Sequence, residues 1–120
     1  MTAKKLVQEF YKSDALIDPA IMKTFLHPEV VLDWHSSTGF LQMDLQQILA
    51  FTTNIAQSYI RTKARITHLL QDGDTVTVRF AHSVKTIENP REEMPLANFI
   101  VIWEVKDGKL YRGYQMSQPA

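Results

Sequence analysis

The sequence contains no cysteine and only four glycines among its 120 residues. The missing thiols exclude disulfides, cysteine nucleophiles and cysteine-ligated metal or iron–sulfur sites. The glycines stand far apart, so no glycine-rich loop that could cradle a phosphate is present. The four histidines lack the spacing of a metal site, such as two ligands on successive turns of a helix. We therefore expect neither a metal ion nor a cofactor.

The sequence also lacks an excess of charge of either sign, since 13 basic and 13 acidic residues cancel. Binding to nucleic acid or to an anionic membrane needs a surplus of Lys and Arg, so we expect neither partner. No window reaches the roughly 18 apolar residues of a membrane span. The segment 1–12 is charged and amphipathic, without the apolar stretch of a secretory signal. We expect a cytoplasmic protein.

The first half of the chain has the pattern of three helices. Asp18-Pro19 is a strong helix start, because Asp caps free amides and Pro suits the first helical position. Asp44 with Gln47 three residues later has the form of a capping box. Between these two helices, the β-branched and aromatic run Val30–His35 predicts a first strand.

The second half alternates with the period of strands, in runs that begin near residues 60, 75, 96 and 110. Asp-Gly pairs at 72–73 and 107–108 predict tight hairpins. In the first run, one face is predicted to carry Ile60, Thr62, Ala64, Ile66 and His68. In the second run, the inward face is predicted to carry Val76, Val78, Phe80, His82 and Val84.

Helices followed by long strands predict a single α+β domain over residues 1–120, in which a curved antiparallel or mixed sheet wraps three N-terminal helices. The resulting cone encloses a central cavity. The strand over residues 96–105 is apolar on both faces. A cover for the convex face is therefore needed, and a second copy of the chain would supply it in a homodimer.

Three sequence stretches carry a resemblance to a known family: FLHPEVVLDW at 25–34, QDGDTVTVRF at 71–80 and WEVKDGKLYRGYQ at 103–115. In this order the chain resembles the SnoaL-like and steroid isomerase-like branch of the nuclear transport factor 2-like superfamily, which has a cystatin-like α+β barrel fold. The resemblance implies a pocket for a small molecule. In the family's enzymes it implies cofactor-independent isomerisation, cyclisation or dehydration by acid–base catalysis. The isomerase-like members carry a carboxylate where this chain has Trp34.

Three residues are candidates for acid–base chemistry. His82 lies on an otherwise apolar strand face, where a neutral imidazole can accept or donate a proton at physiological pH. The alternative is a core histidine whose hydrogen bonds are satisfied within the protein. Asp33 and His35 share the opposite strand face from Trp34. They form either an acid–base dyad or a surface pair at a strand end.

Five residues are candidates for ligand contact: Trp34, Tyr59, Asn98, Trp103 and Tyr114. Asn98 interrupts an apolar strand, so it either holds a neighbouring strand or faces a polar group of the ligand. The aromatic residues offer flat apolar walls, and the alternative for each is ordinary core or a dimer interface. The apolar lining predicts a small apolar ligand, such as a polycyclic or aromatic compound. The alternative function is a non-catalytic ligand-binding or dimerisation module with a vestigial pocket.

Overall fold

The computed structural model describes all residues from Met1 to Ala120. Three α-helices and a short 3-10 helix at Ala15–Ile17 accompany six strands. The helices are α1 (Ala3–Lys12), α2 (Pro19–Phe25) and α3 (Leu45–Ala56). The strands are β1 (Leu26–Ser36), β2 (Gly39–Asp44), β3 (Tyr59–Asp72), β4 (Thr75–Thr86), β5 (Met94–Lys106) and β6 (Lys109–Pro119). None of the helices combines the length and the apolar character needed to cross a membrane.

The six strands form one curved sheet in the order β2-β1-β6-β5-β4-β3. Only the β1–β6 pair is parallel, and every other neighbouring pair is antiparallel. The sheet does not close, because β2 and β3 lie at its two edges. The helices pack on its concave side, where the buried apolar residues form one core. The prediction of an α+β fold with a mixed sheet over three helices is confirmed.

Side-chain caps start two of the helices where the sequence predicts them. Asp18 accepts hydrogen bonds from the amides of Ala20 and Ile21 at the start of α2. At the start of α3, Asp44 accepts from the Gln47 amide and the Gln47 side chain accepts from the Asp44 amide, both at 2.9 Å. Both caps satisfy amides that have no partner within the helix.

The segment at the start of β1 contacts the β5–β6 hairpin, which leads into β6. His27 Nδ1 accepts a hydrogen bond from the Glu29 amide, and its Nε2 lies 3.4 Å from Asp107 Oδ2 in the β5–β6 hairpin. Lys109 Nζ donates to the carbonyl oxygen of Thr24 at the end of α2. These contacts fix the start of β1 against the start of β6. These contacts give His27, Asp107 and Lys109 a structural role.

Strand β2 is missing from the sequence-based prediction, which has no strand between the first strand at Val30–His35 and the helix that begins at Asp44. Its residues Phe40 and Leu41 are both apolar and both exposed, so this part of the sequence has no period-two alternation. β2 nevertheless pairs with β1 along its full length, from Val31–Asp44 to Ser36–Gly39. Hydrogen bonding to β1, and not burial of one face, therefore defines this edge strand.

Two bulges in β3 correct the predicted face of that strand. After Tyr59 and again after Ile66, β3 contains one residue more than β4. Each extra residue reverses the alternation that follows it. As a result Ile60 and His68 are exposed, and Leu69 takes the inward position opposite Val78. The predicted strict alternation from residue 60 to residue 68 is therefore wrong at its two ends.

Candidate functional site

A cavity of about 340 Å³ lies between the concave face of the sheet and the helices. Its volume is near the lower end of the range for small-molecule pockets, roughly 300–1,000 Å³. Of its 25 lining residues, 17 are hydrophobic. None is Asp, Glu, Lys or Arg. The cavity is therefore suited to a small, uncharged molecule.

Stacked aromatic rings from the sheet form one wall of this cavity. Phe80 of β4 and Phe99 of β5 lie face to face, with ring centroids 5.0 Å apart and an interplanar angle of 6°. Trp34 of β1 lies beside Phe99 and makes an edge contact with Phe51 of α3. An aromatic wall of this kind complements a ligand with aromatic or other apolar rings, since edge-to-face and offset contacts between rings are both favourable.

His82 of β4 lies on the cavity wall next to this stack. The residue is 7% exposed, and its ring makes edge contacts with Phe80 and Phe99. Burial lowers the pKa of His82 to about 4, because desolvation disfavours the imidazolium. Its Nε2 lies 2.5 Å from Thr62 Oγ1, and the protein supplies no partner for Nδ1. A neutral imidazole therefore has one nitrogen, either donor or acceptor, to offer to a ligand.

Tyr11 of α1 contributes a buried hydroxyl to the cavity lining. Its oxygen accepts a hydrogen bond of 2.8 Å from Trp103 Nε1. Burial raises the pKa of Tyr11 above its ordinary value, although the Trp103 hydrogen bond opposes this shift. No protein acceptor lies within reach of the phenolic hydrogen itself. The hydroxyl is therefore a donor whose natural acceptor is an oxygen atom in the cavity.

Most of the other polar groups in the lining already have a hydrogen-bond partner in the protein. Trp34 Nε1 donates to Ser117 Oγ at 2.8 Å, and Thr52 Oγ1 donates to the carbonyl oxygen of Ile48. Tyr59 and Gln115 line the cavity without a hydrogen bond to the protein from their side chains. His82 and Tyr11 thus remain the buried polar groups with capacity for a ligand.

Four of the eight residues selected from the sequence line this cavity: Trp34, Tyr59, His82 and Trp103. The sequence-based selection missed Tyr11. A signal was present, because Tyr11 follows Val7 by four residues and so continues the buried stripe of α1. Its contact with Trp103, 92 residues away, is a tertiary feature that the stripe does not reveal.

Asp33 and His35 lie on the convex face of β1, outside the cavity. The alternation that points Trp34 inward turns both of its neighbours outward. Asp33 accepts a hydrogen bond from Gln42 Nε2 at 2.8 Å, and His35 contacts the ring of Phe40. No hydrogen bond joins Asp33 to His35, so the predicted dyad is not formed.

Asn98 and Tyr114 also lie on the convex face, which corrects their predicted position in the pocket. Asn98 is exposed opposite Ala81 and Gln118, because Phe99 takes the neighbouring inward position on β5. Tyr114 is exposed opposite Ile102, because the inward positions of β6 belong to Gly113 and Gln115.

Comparison with known proteins finds a match at the level of family and fold. The family model described as SnoaL-like domain matches residues 7–113. No curated protein matches the sequence significantly. Among solved structures, the chain is similar to IdmH from Streptomyces antibioticus, described as a candidate polyketide cyclase, with 15% identity and a TM-score of 0.74 over 98% of this chain and 92% of that one.

Two further structures show the same fold. A candidate SnoaL-like polyketide cyclase from Shewanella denitrificans is 11% identical, with a TM-score of 0.73 over 96% of this chain and 89% of that one. An epoxide hydrolase of the LEH-like type from M. tuberculosis is 15% identical, with a TM-score of 0.72 over 96% of this chain and 81% of that one. At identities this low, the structural similarity establishes a shared fold and leaves the activity open.

Proposed function

Since the chain belongs to the SnoaL-like domain family, we propose that it binds one small, largely apolar molecule in the cavity of the cone. The observation that carries this proposal is an apolar cavity with a buried tyrosine hydroxyl whose hydrogen has no acceptor in the protein. A bound ligand oxygen supplies that acceptor.

The absence of cysteine agrees with our expectation that the protein works in the cytoplasm.

The size and the aromatic lining of the cavity favour a ligand of about two fused rings. An apolar cavity of roughly 150 Å³ accepts a single benzene ring in another protein, and the cavity here has about 340 Å³. The aromatic wall that includes Phe80 and Phe99 provides ring contacts for such a ligand. Charged ligands are disfavoured, because no charged residue lines the cavity and desolvation of an unpaired charge is costly.

The polar groups of the cavity set the expected chemistry of the ligand. Tyr11 and His82 flank Phe80, with ring centroids 4.5 Å and 6.5 Å from the Phe80 ring. Tyr11 donates to a carbonyl or hydroxyl oxygen, and the free Nδ1 of His82 pairs with a second polar group of the ligand. A bicyclic or tricyclic ketone or phenol meets these requirements.

A second candidate function, cofactor-independent proton transfer, is favoured by the same two residues. His82 Nδ1 removes a proton from the carbon next to a ketone, and the Tyr11 hydroxyl stabilises the enolate oxygen that forms. With a β,γ-unsaturated ketone, return of the proton to the γ carbon of the dienolate gives an isomerase. With a β-hydroxy ketone, loss of the hydroxyl as water gives a dehydratase, and attack of the enolate carbon on a second carbonyl of the same molecule gives a cyclase. Since the pKa of His82 is lowered to about 4, the imidazole is a weak base. Binding is therefore the primary proposal.

The bicyclic ketone 2-tetralone tests both candidates. We expect saturable binding to the wild-type protein by isothermal titration calorimetry. Ala97→Phe should abolish binding, because Ala97 lines the cavity and the added ring occupies it. Tyr11→Phe should weaken binding about fivefold, the effect of one neutral hydrogen bond. If proton transfer occurs, hydrogen–deuterium exchange next to the ketone is accelerated, and His82→Leu slows it about 100-fold.

Ala20→Phe is the matched control, because it adds the same ring at an exposed position of α2. It should bind 2-tetralone as the wild type does. Equal affinity in Ala97→Phe and the wild type would remove the cavity as the binding site. Binding without accelerated exchange assigns the chain to the non-catalytic alternative, a ligand-binding module.

We also propose that a second copy of the chain covers the convex face. That face exposes a contiguous apolar patch of β5 and β6, which consists of Ile100, Ile102, Tyr114 and Met116. Ile102 lies opposite Tyr114, and Ile100 lies opposite Met116, which is 63% exposed. Large apolar patches mark association surfaces, and a two-fold dimer joins the same patch on both copies.

The expected result for this patch is a dimer that the double variant Ile100→Glu/Met116→Glu converts to a monomer, since four buried carboxylates oppose one another across the two-fold axis. Analytical ultracentrifugation measures the mass of each species. Ile60→Glu/Ile87→Glu is the control, because both residues are exposed apolar positions outside the patch. A monomeric wild-type protein would contradict the proposal.

A further inference from the structure

A second concavity, of about 330 Å³, lies on the outside of the sheet where β3 begins and β4 ends. Three cations line it, Arg61 and Lys63 of β3 and Lys85 of β4, and we refer to it as the cationic groove. Ser83 and Glu93 also line it. We propose that the cationic groove binds the phosphate group of a small molecule, at a site separate from the apolar cavity.

The strand register places the cations together without a counter-charge. Arg61 lies directly opposite Lys85, and Lys63 lies opposite Ser83. Like charges in directly opposed positions destabilise a strand pair. None of the three cations is in a salt bridge. The repulsion is therefore uncompensated in the protein alone, and a bound anion removes it.

Glu93 is the only acidic residue in the lining, and its carboxylate is already engaged. Its Oε2 lies 3.3 Å from Nη2 of Arg65, the next outward residue of β3 after Lys63. This leaves three positive side chains facing the groove in a protein whose formal net charge is zero. Charge of one sign concentrated in a concave surface raises the local concentration of ligands of the opposite sign.

Alternation of Arg61 and Lys63 with apolar residues is also typical of a solvated strand face. Two features separate the groove from such a face. Lys85 joins the cluster from a different strand, through a register that the bulge after Tyr59 sets. The three cations also surround a concavity instead of projecting from a flat surface.

The donor set of the groove suits a multiply charged oxyanion. The guanidinium of Arg61 can bind two oxygens at once, while each lysine supplies a compact positive charge. The Ser83 hydroxyl makes no hydrogen bond within the protein and provides a further donor. A single carboxylate leaves most of this charge unpaired, whereas a phosphate or diphosphate pairs with all three cations. The volume leaves room for an organic portion beside the phosphate.

The groove and the apolar cavity are independent sites. Thr62 separates them, because it lines the groove and its hydroxyl contacts His82 on the cavity wall. The groove also lies at the β3 edge of the sheet, away from the apolar patch of β5 and β6. Its failure as a phosphate site would leave the proposed cavity function untouched.

Inorganic pyrophosphate is the probe for this site, with amide chemical shifts of residues 61–63 and 83–85 as the readout. We expect saturable shift changes in the wild-type protein. Arg61→Gln/Lys85→Gln should weaken binding by about tenfold or more, the effect of removing charge-assisted hydrogen bonds. Lys12→Gln/Lys23→Gln removes the same charge from two exposed helix positions and should leave binding unchanged. The spectra themselves report whether each variant is folded.

Shift changes that do not saturate, or equal weakening in the two double variants, would overturn the proposal. A sedimentation arm distinguishes two sources of the phosphate. Vesicles of phosphatidylcholine with phosphatidylglycerol should leave the protein in the supernatant if the ligand is a soluble phosphate. Co-sedimentation that pyrophosphate reverses supports the same groove and assigns the phosphate to a lipid headgroup.

Discussion

Replacing Gly113 with alanine is expected to lower the free energy of unfolding by about 3 kcal/mol, the upper part of the range for overpacked cores. A Cβ atom at this position would lie 2.6 Å from Trp103 Cζ3, 2.8 Å from Trp103 Cη2 and 2.7 Å from Leu32 Cδ1. Neither the Trp103 ring nor the Leu32 side chain can move without a loss of stability. Leu32 is buried, and the Trp103 indole is buried and hydrogen-bonded to Tyr11. Urea unfolding of both proteins measures the difference.

Two comparisons isolate the steric cause. Gly73→Ala is the control for backbone strain alone, because Gly73 has φ +61° and no atom within 4 Å of the added Cβ. It should cost about 1 kcal/mol. In a Trp103→Phe background the smaller ring lacks the two clashing atoms, so Gly113→Ala should cost less there than in the wild type. Equal costs in both backgrounds would show that the indole is not the obstacle.

Gly113 also connects the fold to the site. The indole of Trp103 lies over the bare backbone of β6, and in that position its Nε1 reaches the hydroxyl of Tyr11. We expect a side chain at Gly113 to push the indole away from β6 and so to weaken this hydrogen bond. In Gly113→Ala, ligand affinity and tryptophan fluorescence should therefore change along with stability. In Gly73→Ala, only stability should change.

Local signals in the sequence were sufficient to predict the class of the fold. Asp18 and the Asp44–Gln47 pair set two helix starts through contacts within three residues, so both were predictable. The Asp-Gly hairpins are local in the same sense. The bulges after Tyr59 and Ile66 were not predictable, because no residue in β3 marks where its pairing with β4 shifts. The parallel pairing of β1 with β6 depends on contacts more than 80 residues apart.

The site was predictable only where one face of a strand is apolar and the other is not. On β4 this contrast is clear, and His82 lies on the cavity side as its apolar neighbours indicate. On β5 both faces are apolar, because the convex face carries the exposed patch that includes Ile100 and Ile102. The apolar neighbours of Asn98 therefore predict a buried side chain, although Asn98 is exposed. Composition could not separate a cavity wall from an exposed apolar face.

Acid is expected to destabilise this protein through His82. The folded pKa of His82 is lowered from 6.5 to about 4, because burial disfavours the charged ring. Between these values the unfolded chain binds a proton that the folded protein does not, so stability falls as the pH falls. The stability that the folded protein has with His82 uncharged is fully present above pH 6.5, and it is lost as the pH drops toward the folded pKa of about 4. Its loss amounts to about 3 kcal/mol at pH 4, since each pH unit is worth about 1.4 kcal/mol.

His82→Leu removes the titrating ring, so the other acid-sensitive groups cancel when the variant is compared with the wild type. The difference in free energy of unfolding between the two proteins should therefore shift by about 3 kcal/mol, in favour of the variant, from pH 7 to pH 4. NMR titration of the His82 ring should give a midpoint near 4. Parallel pH profiles, or a midpoint near 6.5, would contradict the burial argument. A low midpoint has a functional consequence as well, because His82 then meets a ligand at neutral pH as an uncharged hydrogen-bonding ring and only weakly as a base.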